Sequence, residues 1–223
     1  EDAALLRERD TLLWQALDGL GDRCRVLLRA LAASPPPSYA EISFVAEAGR
    51  PYRLWIRGRA ERDSWANDSM FIQFSGSVDA AGVPAFRIGT AEAAWVAIED
   101  CQGCGLSGWG WQDNGYGPGV LGPLVRFAAG GRQTIRLQSR EDGVSIDQIV
   151  LSPATYLTAS PGAARGDSLI LPQAPDSTAG GTAEILLTAA AVTRLGGAWS
   201  VMADASAAGA LAVGHADAAR PKV

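Results

Sequence analysis

At 223 residues, 48% of them hydrophobic, the chain is long enough to bury a core and holds one large domain, or one domain with appendages. A formal net charge of −5 argues against a general nucleic-acid binder, which needs a basic face for phosphate. No apolar run reaches the roughly 18 residues of a membrane-spanning helix, and the charged, amphipathic first residues do not read as a signal peptide.

Residues 1–37 read as a helical hairpin. Leu5, Leu6, Leu12, Leu13, Trp14 and Leu17 fall on or near one face of a first helix. Asp22 is a plausible N-cap for a second, striped by Val26, Leu27, Ala30 and Leu31, and Pro35, Pro36 and Pro37 end it. From Ser38 the apolar period changes to two. Ala40, Ile42, Phe44 and Ala46 share one face of a strand, with Glu41, Ser43 and Glu47 on the other. After a turn at 48–51, Tyr52, Leu54 and Ile56 point inward, while Arg53, Trp55, Arg57 and Arg59 point outward. An indole between guanidiniums there suits cation–π packing.

Further strands are predicted at MFIQF (70–74), AFRIGT (85–90), AAWVAIED (93–100), PLVRFAA (123–129), RQTIRLQSR (132–140) and VSIDQIVLS (144–152). Short strands between Gly, Pro and Asp turns, with no helix among them, indicate an antiparallel sandwich or barrel over 38–157. Residues 158–182, rich in Pro, Gly, Ser and Ala, read as linker. Strand patterns return in 183–223 at EILLTAA and AWSVMADAS.

One Gly-rich loop, CQGCGLSGWGWQDNGYG from Cys101, gathers the chemistry. Trp109, Trp111 and Tyr116 offer faces for the apolar side of a sugar ring, and Gln112, Asp113 and Asn114 offer partners for its hydroxyls. The alternative is that the two indoles plug the end of the sandwich while Asp113 and Asn114 form the turn. Trp65, beside Asn67 and Asp68, is a second candidate contact. Cys101 and Cys104 either close a small disulfide in an oxidising compartment or remain buried thiols. Zinc wants four ligands, and Cys24 and His215 lie far off without the usual spacing.

Glu141 and Asp142 fall at a turn and Asp147 in a strand, a structural use rather than the carboxylate pair of a glycosidase. His215, the only histidine, has no partner for a nucleophilic triad. No catalytic residue is assigned, and the expectation is a binding protein rather than an enzyme.

Two resemblances extend this reading. AGRPYRLWIRGRA, DSMFIQFSGSVD, FRIGT, CQGCGLSGWGWQDNGYG, GPLVRFAAGGRQTIRLQSREDGVSIDQIVLSP and TYLTASPG, within about 39–162, resemble the jelly-roll carbohydrate-binding modules of the family-six and malectin-like kind in secreted bacterial proteins. Residues 184–209 resemble the first strands of such modules, which normally precede the AGRPYRLW hairpin. Residues 183–223 thus either complete the sandwich in circularly permuted order or open a second, truncated copy. The resemblance implies an antiparallel jelly-roll β-sandwich, non-catalytic binding of a polysaccharide, and an extracellular or cell-surface location. It also implies a structural calcium between carboxylates on the first and last strands, at Glu184 and Asp147.

Residues 8–43 resemble the start of region 4 of extracytoplasmic-function sigma factors. The text then passes into FVAEAGRPYRLW without a recognition helix, so DNA reading is not carried over. The alternatives left are a sigma-factor-related regulator with a sugar-sensing sandwich, a glycoside hydrolase, and a structural spacer.

Overall fold

The computed structural model describes residues 38–172 and 183–217. The helical hairpin expected over 1–37 lies outside them. The strands are β1 (Tyr39–Ala46), β2 (Arg53–Ala60), β3 (Ser69–Phe74), β4 (Ser77–Val78), β5 (Ala94–Ala97), β6 (Gly110–Gln112), β7 (Arg126–Phe127), β8 (Gly131–Ser139), β9 (Val144–Ser152), β10 (Ile185–Thr188), β11 (Val192–Gly196), β12 (Trp199–Ala203) and β13 (Leu211–His215).

One sheet runs β11-β1-β8-β3-β5. The other runs β12-β13-β9-β2-β6, with β10 also paired to β9. The ladders are antiparallel, and the described chain is mainly β. Between the sheets lies one apolar core. Ala40, Ile42, Phe44 and Ala46 enter it from β1, and Tyr52, Leu54 and Ile56 from β2 and the turn before it, as their alternation predicts. Ile72 and Phe74 (β3), Val96 (β5) and Ile135 and Leu137 (β8) fill it from the neighbouring strands, with Phe127 edge-on to Phe44, Tyr52 and Phe74.

Strand β9 changes phase partway along. Arg57 pairs with Gln148 but Gly58 pairs with Ile146, so Asp147 is an extra residue, a bulge. Val144 and Ile146 before it, and Ile149 and Leu151 after it, therefore all face the core.

The last strands belong to the same sandwich. Leu187 of β10 pairs with Ile149, Val213 of β13 pairs with Ile146, and Leu195 of β11 pairs with Ala40 in the opposite sheet. Residues 183–217 thus add strands to both sheets.

The outward side of β2 is not a solvent face. Arg53, Trp55 and Arg57 are all buried, because residues 154–172 cross over them. Trp55 Nε1 donates to Tyr156 O (2.7 Å), Arg53 Nε to Leu157 O (3.1 Å) and an Arg57 nitrogen to Asp167 O (3.0 Å). Gln148 and Leu171 exchange two hydrogen bonds. The part of the expected linker up to residue 172 is therefore a strap, corrected here from tether to cover. Its composition carries no apolar period because backbone carbonyls make many of its contacts. Two glycines allow the approach: a Cβ on Gly110 would stand 2.0 Å from Ala164 O, and one on Gly162 2.8 Å from the Trp111 ring.

Candidate functional site

Most of the residues expected to face a sugar are structural. Strand β6 pairs with β2 and sets Trp111 opposite Arg57. Beneath the strap, Trp111 is 1% exposed and packs with Trp55 and Val150, bordered by Tyr156, Leu171 and Leu186. Trp109 is also buried, with the guanidiniums of Arg57 (5.0 Å) and Arg59 (4.7 Å) over its ring, and its Nε1 donates to Ser206 Oγ. The cation–π packing expected around Trp55 is thus made on Trp109.

Gln112 donates to Ile98 O. Asp113 pairs with Arg53 (3.2 Å) and accepts from Gly115 N (2.7 Å) and Gly122 N (2.9 Å), forming the turn. Asn114 donates to Pro123 O across that turn. The ring-stacking role expected for Trp109 and Trp111 is corrected accordingly: a ring sealed under a strap offers no face to a ligand.

Tyr116 differs. It is 40% exposed and lies on Trp95 with ring centroids 4.9 Å apart. Trp95 points out of β5 because Ala94 and Val96 point into the core. Its cross-strand neighbour is Phe71, exposed to 36%, and the same transverse row continues through Gln138 to Tyr39. Four strands at about 4.8 Å spacing make that row about 14 Å long. Arg140 stands over Trp95 (5.2 Å) and Arg136 over Tyr39 (4.9 Å). Gln138 donates to Gln73, and Arg136 pairs with Glu41. Of the outward side chains of this sheet, Glu41, Gln73 and Arg136 are buried, and the exposed rings are Phe71 and, from the loop, Tyr116.

Sequence reading missed Tyr39, Phe71, Trp95, Gln138 and Arg140 as a group. Each sits at an outward position of a predicted strand, but only the register brings them into one row. Trp65, 62% exposed, stands on a short turn capped by Ser64 between β2 and β3.

Beside this face lies a carboxylate cluster. Asp68, 5% exposed, accepts from Glu99 N (2.9 Å) and hydrogen-bonds to Glu141. One Glu141 oxygen accepts from Asp68 N, Ser69 N and Ser69 Oγ, and the other from Arg140. Burial, opposed by the Glu99 amide and reinforced by the hydrogen bond and charge of Glu141, pushes the Asp68 carboxyl up to about 7. The Tyr116 phenol is likewise raised, by burial first and then by the charges of Glu99, Asp68 and Asp100. Cys101 and Cys104 form a disulfide in the adjoining segment.

Glu184 and Asp147 do not fit a shared calcium. Asp147 pairs with Arg57 and accepts from Ala208 N, whereas Glu184 accepts from Thr155 N. Because Ile185 pairs with Leu151, Glu184 stands five residues along β9 from Asp147, about 16 Å of extended chain. Among the described residues no three His, Cys, Asp or Glu side chains gather as metal ligands. No protein family, curated protein or solved structure matches the chain.

Proposed function

We propose that this protein is a non-catalytic glycan-binding module, whose ligand lies on the outer face of the β11-β1-β8-β3-β5 sheet. The observation that carries the reading is the pair of exposed rings, Tyr116 and Phe71, set on either side of the half-buried Trp95. A pyranose presents an apolar C–H face to Tyr116 and Phe71, while Gln138 and Arg140 border it with amide and guanidinium groups. Trp95 backs Tyr116 and fixes the ring's plane. Trp65 is a further stacking surface on the same reading.

The two-sheet antiparallel architecture supports a jelly-roll assignment. The pairing of β10, β11 and β13 with strands of the body supports the permuted order, in which strands that usually open such a module come last. The disulfide supports an oxidising, extracellular setting.

The test is titration calorimetry against a panel of soluble polysaccharides. A glycan that binds the wild type should lose about fivefold or more in affinity with Tyr116→Ala and with Phe71→Ala, a cost above about 1 kcal/mol being what truncation of an energetically important contact residue produces. A panel that stays silent, or an affinity indifferent to both substitutions, sinks the assignment.

A further inference from the structure

Segment 99–108, which joins β5 to β6, has a single aliphatic side chain, Leu106, packed partly buried against the core. Covalent and backbone links do much of the rest. Inside the Cys101–Cys104 bridge, Cys104 N donates to Cys101 O (3.1 Å), and around it Gly105 N donates to the Glu99 carboxylate (2.7 Å).

Three neighbours lean on this segment. Gly117 N, next to Tyr116, donates to Asp100 O (2.7 Å), and Gly166 N of the strap donates to Ser107 O (2.6 Å). Gly108 N donates to Asp63 (2.8 Å), in the turn that precedes Trp65. The bridge itself is within reach of solvent. Both cysteines are half-buried, and Gln102 and Gly103 between them are exposed; exposed bridges are the readily reduced ones. With a sequence separation of 3 it closes a short loop, so it restrains its own segment more than it stabilises the whole fold.

We propose that the Cys101–Cys104 bridge is a redox latch on the Tyr116 loop: closed, it fixes the Asp100 carbonyl to which Gly117 is bound, and opened by a dithiol reductant it frees the loop while the sandwich stays folded. One thiolate of the reductant attacks a bridge sulfur. The S–S bond breaks, and the other cysteine leaves as a thiolate and takes up a proton. The reductant's second thiol then displaces the first cysteine, leaving two protein thiols and the reductant as its own disulfide. As a control on ligand capture this rests on the glycan reading. As a property of the loop it does not.

Hydrogen exchange on the whole chain without glycan, with and without dithiothreitol, tests it, and alkylation followed by mass spectrometry reports the state of the bridge. Protection of the peptide spanning 113–122 should fall about tenfold on reduction, the order of constraint that chain entropy assigns to so short a closed loop. Peptides from β1, β8 and β9 should keep theirs. The double variant Cys101→Ser, Cys104→Ser should show the reduced pattern without reductant, and reduced wild type serves should that variant fail to fold. Cys24→Ser, which removes the remaining cysteine, should respond as wild type.

A bridge that dithiothreitol leaves intact in the folded protein overturns the proposal. So does a bridge that opens with protection at 113–122 unchanged, or with protection lost equally from β1, β8 and β9. A glycan panel silent in both redox states overturns the glycan reading and leaves the exchange result standing.

Discussion

Replacing Trp111 by Ala separates a core indole from a binding one. The side chain is 1% exposed and packs on Trp55 and Val150 beneath Leu171. Truncating so buried an aromatic costs about 3–5 kcal/mol. Its Nε1 has no hydrogen-bond partner, so the truncation orphans no acceptor and the loss is one of packing. The backbone bond from Trp111 N to Ala163 O (3.0 Å) survives and limits collapse of the strap. In a chain of this length each kcal/mol moves the midpoint by about 2–4 °C, so Tm should drop by on the order of 10 °C, with a matching fall in the urea midpoint. Tyr116→Ala should instead unfold within about 0.5–1 kcal/mol of the wild type, its ring being 40% exposed, and should lose glycan affinity. Urea titration followed by circular dichroism, paired with calorimetry on the same samples, reads both. A Trp111→Ala protein of undiminished stability that no longer binds glycan would refute the core assignment, since the indole would then be meeting ligand.

Two further outcomes bear on the strap and the carboxylates. Gly110→Ala brings a Cβ to 2.0 Å from Ala164 O. Backbone must move, at about 1–3 kcal/mol for such overpacking, and limited proteolysis should open first within 154–172; a wild-type digestion pattern would count against close strap contact. Stability should also fall as pH rises from about 4 to about 7. The Asp68 carboxyl, raised from 3.8 to about 7 by burial, still holds in the folded chain a proton that the unfolded chain has released. Urea midpoints at pH 5 and pH 8.5 should differ more in wild type than in Asp68→Asn, and an equal difference in both would remove Asp68 as the cause.

The alternation of Ala40, Ile42, Phe44 and Ala46, and of Tyr52, Leu54 and Ile56, is enough to place β1 and β2 and their inner faces, because a period of two admits only one buried side. The same alternation misjudges the other side of β2. Arg53, Trp55 and Arg57 look like a solvated face, and only a segment about a hundred residues later, with no apolar pattern, covers them. The Asp147 bulge is equally silent, since an extra residue is visible only against its partner strand.

For the candidate site, the loop composition around Trp109 and Trp111 gives the right materials and the wrong exposure. A three-residue strand, β6, is too short for its own pattern to show which ring is covered. The face formed by Phe71, Trp95, Gln138 and Tyr39 lies on four strands, and nothing local says that these residues are neighbours.

The two sheets treat their outer surfaces in opposite ways. On the β2-β6-β9 side, guanidiniums and indoles that strand alternation turns outward are covered by a strap. Its carbonyls at 156, 157 and 167 accept their protons, and Asp147 and Asp167 take the charge of Arg57. Such a surface is fixed, because removing either the strap or its charge partners leaves buried groups unpaired. On the β1-β8-β3-β5 side, Glu41, Gln73 and Arg136 are also buried, with Glu92 O accepting from Gln73, while Phe71 and Tyr116 remain exposed beside Arg140 and Trp95. The rings there are spaced by a rigid ladder, and only Tyr116 comes from a loop. On the glycan reading proposed above, the exposed Phe71 is placed by the ladder and only the segment that carries Tyr116 would have to be ordered on binding, which lowers the entropic cost of capture.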